Sequence, residues 1–141
     1  MYSVEDCEII SLPKIHNSAG NITVIENNIT IPFDVKRVYY LYDVPMGSER
    51  GGHGHYKLQQ YIVALSGSFT FVLDDGVCKK EFFLNDPSKA LHIKAGIWRE
   101  IKNFSSGSIC LVLASDVYSE EDYLRDYDEF LNYRKDDTST F

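Results

Sequence analysis

Cysteine is scarce in this chain of 141 residues: Cys7, Cys78 and Cys110 are widely spaced, with no C-x-x-C pair. An odd count without a framework excludes a disulfide scaffold and fits reduced thiols in a cytoplasmic protein. Long apolar runs are also missing. No stretch approaches the roughly 18 residues that a membrane span needs. The start, Met1-Tyr2-Ser3-Val4-Glu5-Asp6, lacks the basic and apolar regions of a signal peptide. A basic excess is missing too: 14 Lys and Arg face 21 Asp and Glu, a net charge of −7. Such a chain is a poor general partner for nucleic acid or an anionic membrane, because polyanions need a basic face. There is no internal repeat, low-complexity tract or interdomain linker, so the expectation is one domain over residues 1–141.

What is present is enough for a core. Hydrophobic residues make up 44%, and aromatics 13%, with ten Tyr and eight Phe. Most of the chain reads as short strands: 8–12, 21–26, 37–42, 58–65, 68–73, 78–84, 89–93, 99–103 and 108–115. Asp74-Asp75-Gly76 is a hairpin turn, where Gly supplies a positive φ. About nine strands with close turn signals imply an all-β sandwich or barrel. The exception lies at 120–134. There Ser119 precedes Glu120, Glu121 and Asp122 like a cap and an acidic first turn. Tyr123, Leu124, Tyr127, Phe130 and Leu131 then follow at helical spacing, which predicts a helix over 120–134 and a frayed tail over 136–141.

The informative stretch runs from Gly47 to Gly67. It contains Arg50-Gly51-Gly52-His53-Gly54-His55 and then Gln60, with the spacing G-x5-H-x-H-x4-Q-x6-G. Two His two apart on a strand point to one face, which in a small barrel can be the interior. An H-x-H pair can also be merely structural, and the glycines and full spacing argue otherwise here. His16 and His92 lack such a context and read as structural or surface residues.

This spacing resembles the first motif of the cupins, small jelly-roll barrels. The resemblance implies an all-β cupin jelly-roll barrel, with the C-terminal α-helix added. In metal-binding cupins two His and a Glu of that motif, with a His of a second motif, hold one ion. Here the Glu position carries Gln60. The second-motif segment Gly96-Ile97-Trp98-Arg99-Glu100-Ile101-Lys102-Asn103 carries Arg99, a permanent cation, at the His position. Two His beside a guanidinium make a poor Zn or Fe site, so the reading is no metal and no cofactor.

Several segments together resemble the WxcM-like dTDP-sugar 3,4-ketoisomerases: Ile31 to Tyr40, Arg50 to His55, Leu73 to Gly76, Gly96 to Glu100, Asn103 to Gly107, Leu113 to Asp116 and Asp122 to Asp128. The resemblance implies an isomerase that converts dTDP-4-keto-6-deoxyglucose to a dTDP-3-keto-6-deoxyhexose. An aminotransferase then usually makes 3-amino sugars for surface glycans, such as O-antigen lipopolysaccharide, or for antibiotics. It also implies a homodimer, often with exchanged N-terminal strands.

The chemistry suits the residues. The C3 proton lies beside the C4 ketone and is acidified. A base removes it, an enediolate forms, and a proton returns at C4. Imidazole, with an unperturbed pKa of about 6.5, fits that shuttling. The candidates are His55 as principal base and His53 as shuttle or orienting partner, with their order open. Tyr39 is a candidate donor near the sugar, or a packed barrel aromatic. Arg37 and Arg50 are candidates for the pyrophosphate, and Lys57 is a lesser one. Gln60 and Arg99 are expected to face the cavity, and Trp98 to line its wall or pack in the core. Ala19 stands where many members carry Arg, and Tyr56 where many carry Lys. The C4 configuration, gluco or galacto, is therefore left open.

A non-catalytic sugar-nucleotide-binding cupin and a metal-dependent cupin enzyme are the alternatives. A 3,5-epimerase of the same barrel class lacks its expected His/Asp pattern here. The charge divides informatively. Residues 117–141 hold eight acids and three bases, whereas 36–60 hold four bases and two acids. A small dianion can therefore meet a locally basic site.

Overall fold

The computed structural model describes residues 1–138. Twelve strands, all paired antiparallel, and one helix account for most of them. The strands are β1 (Glu8–Ser11), β2 (Lys14–Asn17), β3 (Gly20–Thr23), β4 (Arg37–Leu41), β5 (Arg50–His55) and β6 (Gln60–Ser66). They continue as β7 (Phe69–Asp74), β8 (Lys79–Leu84), β9 (Lys89–Ile93), β10 (Trp98–Lys102), β11 (Ile109–Ala114) and β12 (Tyr123–Leu124). One five-stranded sheet has the order β1-β9-β6-β11-β4, and the other β12-β5-β10-β7-β8. The β2–β3 hairpin stands apart. Two such sheets face to face fit the jelly roll that the cupin resemblance implies.

The packing follows strand parity. On β6, Ile62 and Ala64 enter the core between the sheets with Phe69, Phe71, Leu91 and Val112. Tyr61 and Val63 point the other way, into a second cluster with Leu12, Ile31 and Leu113. The segment before β4 covers that outer face with Phe33 and Val35. Burial on both faces explains why β6 reads as an unbroken apolar run rather than an alternating one. Fully burying each such side chain stabilises the fold by roughly 1.5–3 kcal/mol.

The expected helix over 120–134 is corrected. Glu120–Asp122 is a short 3-10 turn, Tyr123–Leu124 pairs with β5, and the helix α1 runs over Tyr127–Thr138. Ser119 makes no side-chain cap bond. Asp126 does the capping, accepting from the Glu129 N–H at 3.0 Å. Leu124 is held with Trp98 and Phe130 in a third cluster beneath α1, so it serves a strand rather than a helix face. Of the expected tail, residues 136–138 are helical and 139–141 lie outside the described residues. Arg134 on α1 donates to the carbonyls of Gly96 and Tyr2, tying the helix to the β9–β10 turn and to the N-terminal segment.

Candidate active site

The site lies on the inward faces of β4, β5, β6, β10 and β12, around a cavity of about 460 Å³. A defect in β5 shapes it. Arg99 pairs with His53, but Ile101 pairs with Arg50, so β5 spends three residues where β10 spends two. The extra residue sits at Gly51-Gly52, with Gly51 at φ 87°, a conformation that favours glycine. In a regular strand, residues 50 and 53 would face opposite sides. The bulge brings both Arg50 and His53 onto the cavity wall.

The two imidazoles occupy different places. His53 lines the cavity. His55 is 0% exposed and packs edge-on behind it, ring centroids 5.0 Å apart. Tyr123 covers His55 at 4.4 Å and His53 at 5.3 Å. Burial, reinforced by the Arg99 guanidinium, depresses the His53 pKa to about 3, although a backbone bond to Gly51 opposes this. The same two causes, with His53 and Arg37 added, take His55 to about 2. Both rings are therefore neutral at pH 7, each with one unprotonated nitrogen, and both are weaker bases than a free imidazole. The Nε2 atoms of both are buried without a hydrogen-bond partner among the described residues. On the far side, His55 Nδ1 lies 3.2 Å from Asp122 Oδ2.

A polar chain crosses the cavity base. Arg99, fully buried, donates from Nη1 to Gln60 Oε1 at 2.5 Å and from Nη2 to the Ile97 carbonyl at 3.1 Å. Gln60 Nε2 in turn donates to the Tyr39 oxygen at 3.0 Å. That bond occupies a lone pair on Tyr39 and leaves its O–H free to donate elsewhere. Burial raises the Tyr39 pKa, so the phenol keeps that proton at neutral pH. Burial likewise lowers Arg99, to about 10, and it remains a cation. A guanidinium bonded directly to Gln60 fills the place of two cupin metal ligands. The residues present do not fit a metal, since neither group offers an anionic donor. Among the described residues, no three His, Cys, Asp or Glu cluster as a metal site.

Among the described residues, the lining carries four guanidinium groups, from Arg37, Arg50, Arg99 and Arg125, and no carboxylate. Arg37 lies over the rings of Tyr39 and Tyr118 at 5.1 and 5.5 Å. Its Nε and Nη2 are buried without partners among the described residues. Unpartnered buried donors are costly, and an anionic oxygen is the complementary acceptor. Ile62, Phe71, Ile101 and Val112 give an apolar floor.

Seven of the nine residues expected from the sequence come together here: His53, His55, Tyr39, Arg37, Arg50, Gln60 and Arg99. Two are corrected. Lys57 lies beside an outer groove with Tyr56 and Asp116. Trp98 lies on the outer face of its sheet, tilted against Phe130 at 5.6 Å. It neighbours Arg99 on β10 and must point the opposite way. Three residues were missed. Tyr123 and Arg125 line the cavity, with the Arg125 guanidinium 4.0 Å from the Tyr123 ring, and Asp122 holds His55. Their helix-like spacing concealed them. The local signal was the alternation itself, with Tyr123 and Arg125 facing one side and Leu124 the other.

Fold and cavity together define a class first: a jelly-roll barrel of the cupin type, with guanidinium groups and two neutral imidazoles in place of a metal centre. Within that class the family is specific. Residues 5–135 match the family described as FdtA: WxcM-like, C-terminal, and the chain belongs to it. It is 44% identical over 126 residues to the TDP-4-oxo-6-deoxy-alpha-D-glucose-3,4-oxoisomerase of Aneurinibacillus thermoaerophilus, covering 89% of this chain and 91% of the relative. It is also similar to the 3,4-ketoisomerase QdtA from Thermoanaerobacterium thermosaccharolyticum, solved as a histidine-to-asparagine variant in complex with TDP-4-keto-6-deoxyglucose. That likeness has a TM-score of 0.90 and 41% identity over 92% of this chain and 94% of the other. The TDP-quinovose 3,4-ketoisomerase WlaRB from Campylobacter jejuni matches at TM-score 0.86 and 43% identity, covering 91% of this chain and 98% of that one.

Proposed function

We propose that this protein is a dTDP-4-keto-6-deoxy-D-glucose 3,4-ketoisomerase, an isomerase supplying a 3-keto sugar for 3-amino-3,6-dideoxy sugar synthesis. The observation that carries the reading is a neutral His53 on the wall of a cavity that presents four cations and no carboxylate. The pyrophosphate takes the unpartnered donors of Arg37 and the rim guanidinium of Arg50. The sugar then lies toward the apolar floor, with its C4 carbonyl oxygen near Tyr39.

His53 takes the C3 proton through Nε2. The Tyr39 hydroxyl donates to the oxyanion that develops, and Arg99, linked to Tyr39 through Gln60, adds positive field. Protonation at C4 by the imidazole pair, with transfer of the C3 hydroxyl proton, completes a redox-neutral shift of the ketone. His53 rather than His55 meets the sugar in this reading, because Tyr123 covers His55. A metal has no part in these steps. The exposed outer face of β4 and the β2–β3 hairpin support a homodimer with exchanged N-terminal strands. The three free thiols support a cytoplasmic setting. Among the described residues, no helix is long and apolar enough to cross a membrane.

The test incubates the protein with the 4-keto sugar in deuterated water and reads the product by NMR. The expected result is a 3-keto sugar with deuterium incorporated, whose spectrum also reports the C4 configuration. His53→Asn should lower turnover by about 10²–10⁴-fold, the usual worth of a general base, with dTDP binding retained. Wild-type-like turnover in that variant rejects the role of His53, and no exchange in the wild type rejects the reaction.

A further inference from the structure

Asp122 is held in place from several sides. Its Oδ1 accepts the Lys57 N–H at 2.8 Å, and its Oδ2 the Leu58 N–H at 3.2 Å. Its own carbonyl accepts the Tyr56 N–H at 3.0 Å. The carboxylate is thus fixed on Lys57 and Leu58, the main chain of Asp122 on Tyr56, and the same Oδ2 faces His55 Nδ1. An ionised carboxylate only accepts hydrogen bonds. A neutral imidazole opposite it must carry its proton on Nδ1, which leaves the lone pair on Nε2. Burial and the neighbouring cations keep the ring neutral, so a tautomer, rather than an ion pair, is what the contact selects.

His53 reaches the same state by another route. Its Nε2 is unpartnered, so its backbone bond to Gly51 is made through Nδ1. Both rings then present Nε2 as an acceptor, one fixed by a main-chain carbonyl and the other by a side chain from a different strand.

We propose that Asp122 is a positioning residue of this site, whose carboxylate holds His55 in the Nδ1–H tautomer and so keeps His55 Nε2 available as a proton acceptor. The proposal rests on the reading that the imidazole pair moves protons in the isomerisation. Asp122 is not among the residues that line the cavity, and its direct side-chain contact with the site is His55. A purely structural role, capping the backbone of residues 57 and 58, would make no demand on the tautomer.

The two roles separate in Asp122→Asn. The amide oxygen still accepts the Lys57 N–H, whereas the Leu58 N–H loses its acceptor at Oδ2, a structural loss that the melting temperature reads separately from the tautomer. The NH₂ group, placed where Oδ2 was, donates to Nδ1 and moves the ring proton to Nε2. Long-range ¹H–¹⁵N correlation on protein carrying ¹⁵N-histidine reads the tautomer, with His55 assigned by its loss in His55→Asn. The wild type should show Nδ1 protonated and Nε2 bare. Asp122→Asn should show the reverse, with kcat on the 4-keto sugar reduced by about 10²–10⁴-fold, as for other wrong-tautomer substitutions. KM should stay within about threefold, because the pyrophosphate contacts are untouched.

A wild-type ring protonated on Nε2 overturns the proposal, whether or not the variant folds. So does a variant that loses turnover with its tautomer unchanged, or one that keeps turnover with its tautomer reversed. The wild-type spectrum needs no substrate. An inactive wild type with the Nδ1–H tautomer would therefore reject the ketoisomerase reading and leave the positioning contact standing.

Discussion

His53, His55 and His92 are three imidazoles that folding keeps uncharged. His92 is stacked on Tyr61 at 4.3 Å and hydrogen-bonded to the Tyr61 hydroxyl and to Gln59. Burial first, then Lys94, lowers its pKa to about 4. All three depressed values act on stability with one sign. Above the unfolded value of about 6.5 the rings are neutral in both states and cost nothing. As pH falls below 6.5 the unfolded chain takes up protons that the folded chain refuses, and stability is lost progressively toward the folded values. Each ring should therefore weaken the fold by up to about 2 kcal/mol at pH 5. Urea unfolding at pH 7.5, 6.5 and 5 tests this, and equal midpoints at all three would refute it. His53 and His55, the proposed bases, remain neutral across that range, so activity should decline with the folded fraction.

At the scale of elements, the bulge in β5 is the feature on which the site depends most. Gly51→Ala would place a Cβ 3.2 Å from the Ile101 side chain in a positive-φ conformation. The expected cost is about 1–2 kcal/mol from the backbone alone. Relaxing it by straightening the strand would turn Arg50 away from His53. Isothermal titration should then show weaker dTDP binding together with a lowered melting temperature, and unchanged values for both would contradict this account of the bulge. Much of this region was legible in advance. The H-x-H spacing fixed a shared face, and Gln60 and Arg99 at ligand positions marked themselves as cavity residues. β12 was not legible. Tyr123 and Leu124 are separated by one residue step but buried in different places, and in the sequence that pattern coincides with the start of a real helix at Tyr127. Lys57 and Trp98 lie off the cavity because adjacency to a motif does not bring a side chain to its face.

For the whole molecule, the outside of β4 carries an exposed apolar row that fits the proposed homodimer. Arg37, Tyr39 and Leu41 face in, whereas Val38 and Tyr40 face out at 55% and 58% exposure on an edge strand. Tyr42 extends the row, 5.7 Å from Tyr40. On the detached hairpin, Ile15 and Ile22 pair across the strands and are both exposed. Exposed apolar rows on a strand edge invite pairing with another chain. Sedimentation at micromolar concentration should give twice the 16.2 kDa protomer mass, reduced to the protomer by Val38→Asp with Tyr40→Asp. A wild-type protomer under those conditions would refute the homodimer. The overall charge of −7 coexists with a cavity lined by four guanidinium groups, of which Arg125 is paired with Glu120. Arg125 belongs to the most acidic stretch of the chain and still contributes to the cavity.

The contact between His55 and Asp122 spans 67 positions of sequence, and that distance sets an order of events during synthesis. The ribosome must extend the chain well past the H-x-H motif before the strap bearing Asp122, Tyr123 and Arg125 can pair with β5. Until then the edge of β5 next to β12 has no partner in its sheet and the two imidazoles lack their cover. Contacts of such long separation form late, since loop closure must come first. The cover over the two imidazoles therefore depends on a pairing that the chain can make only after residue 124 has been added.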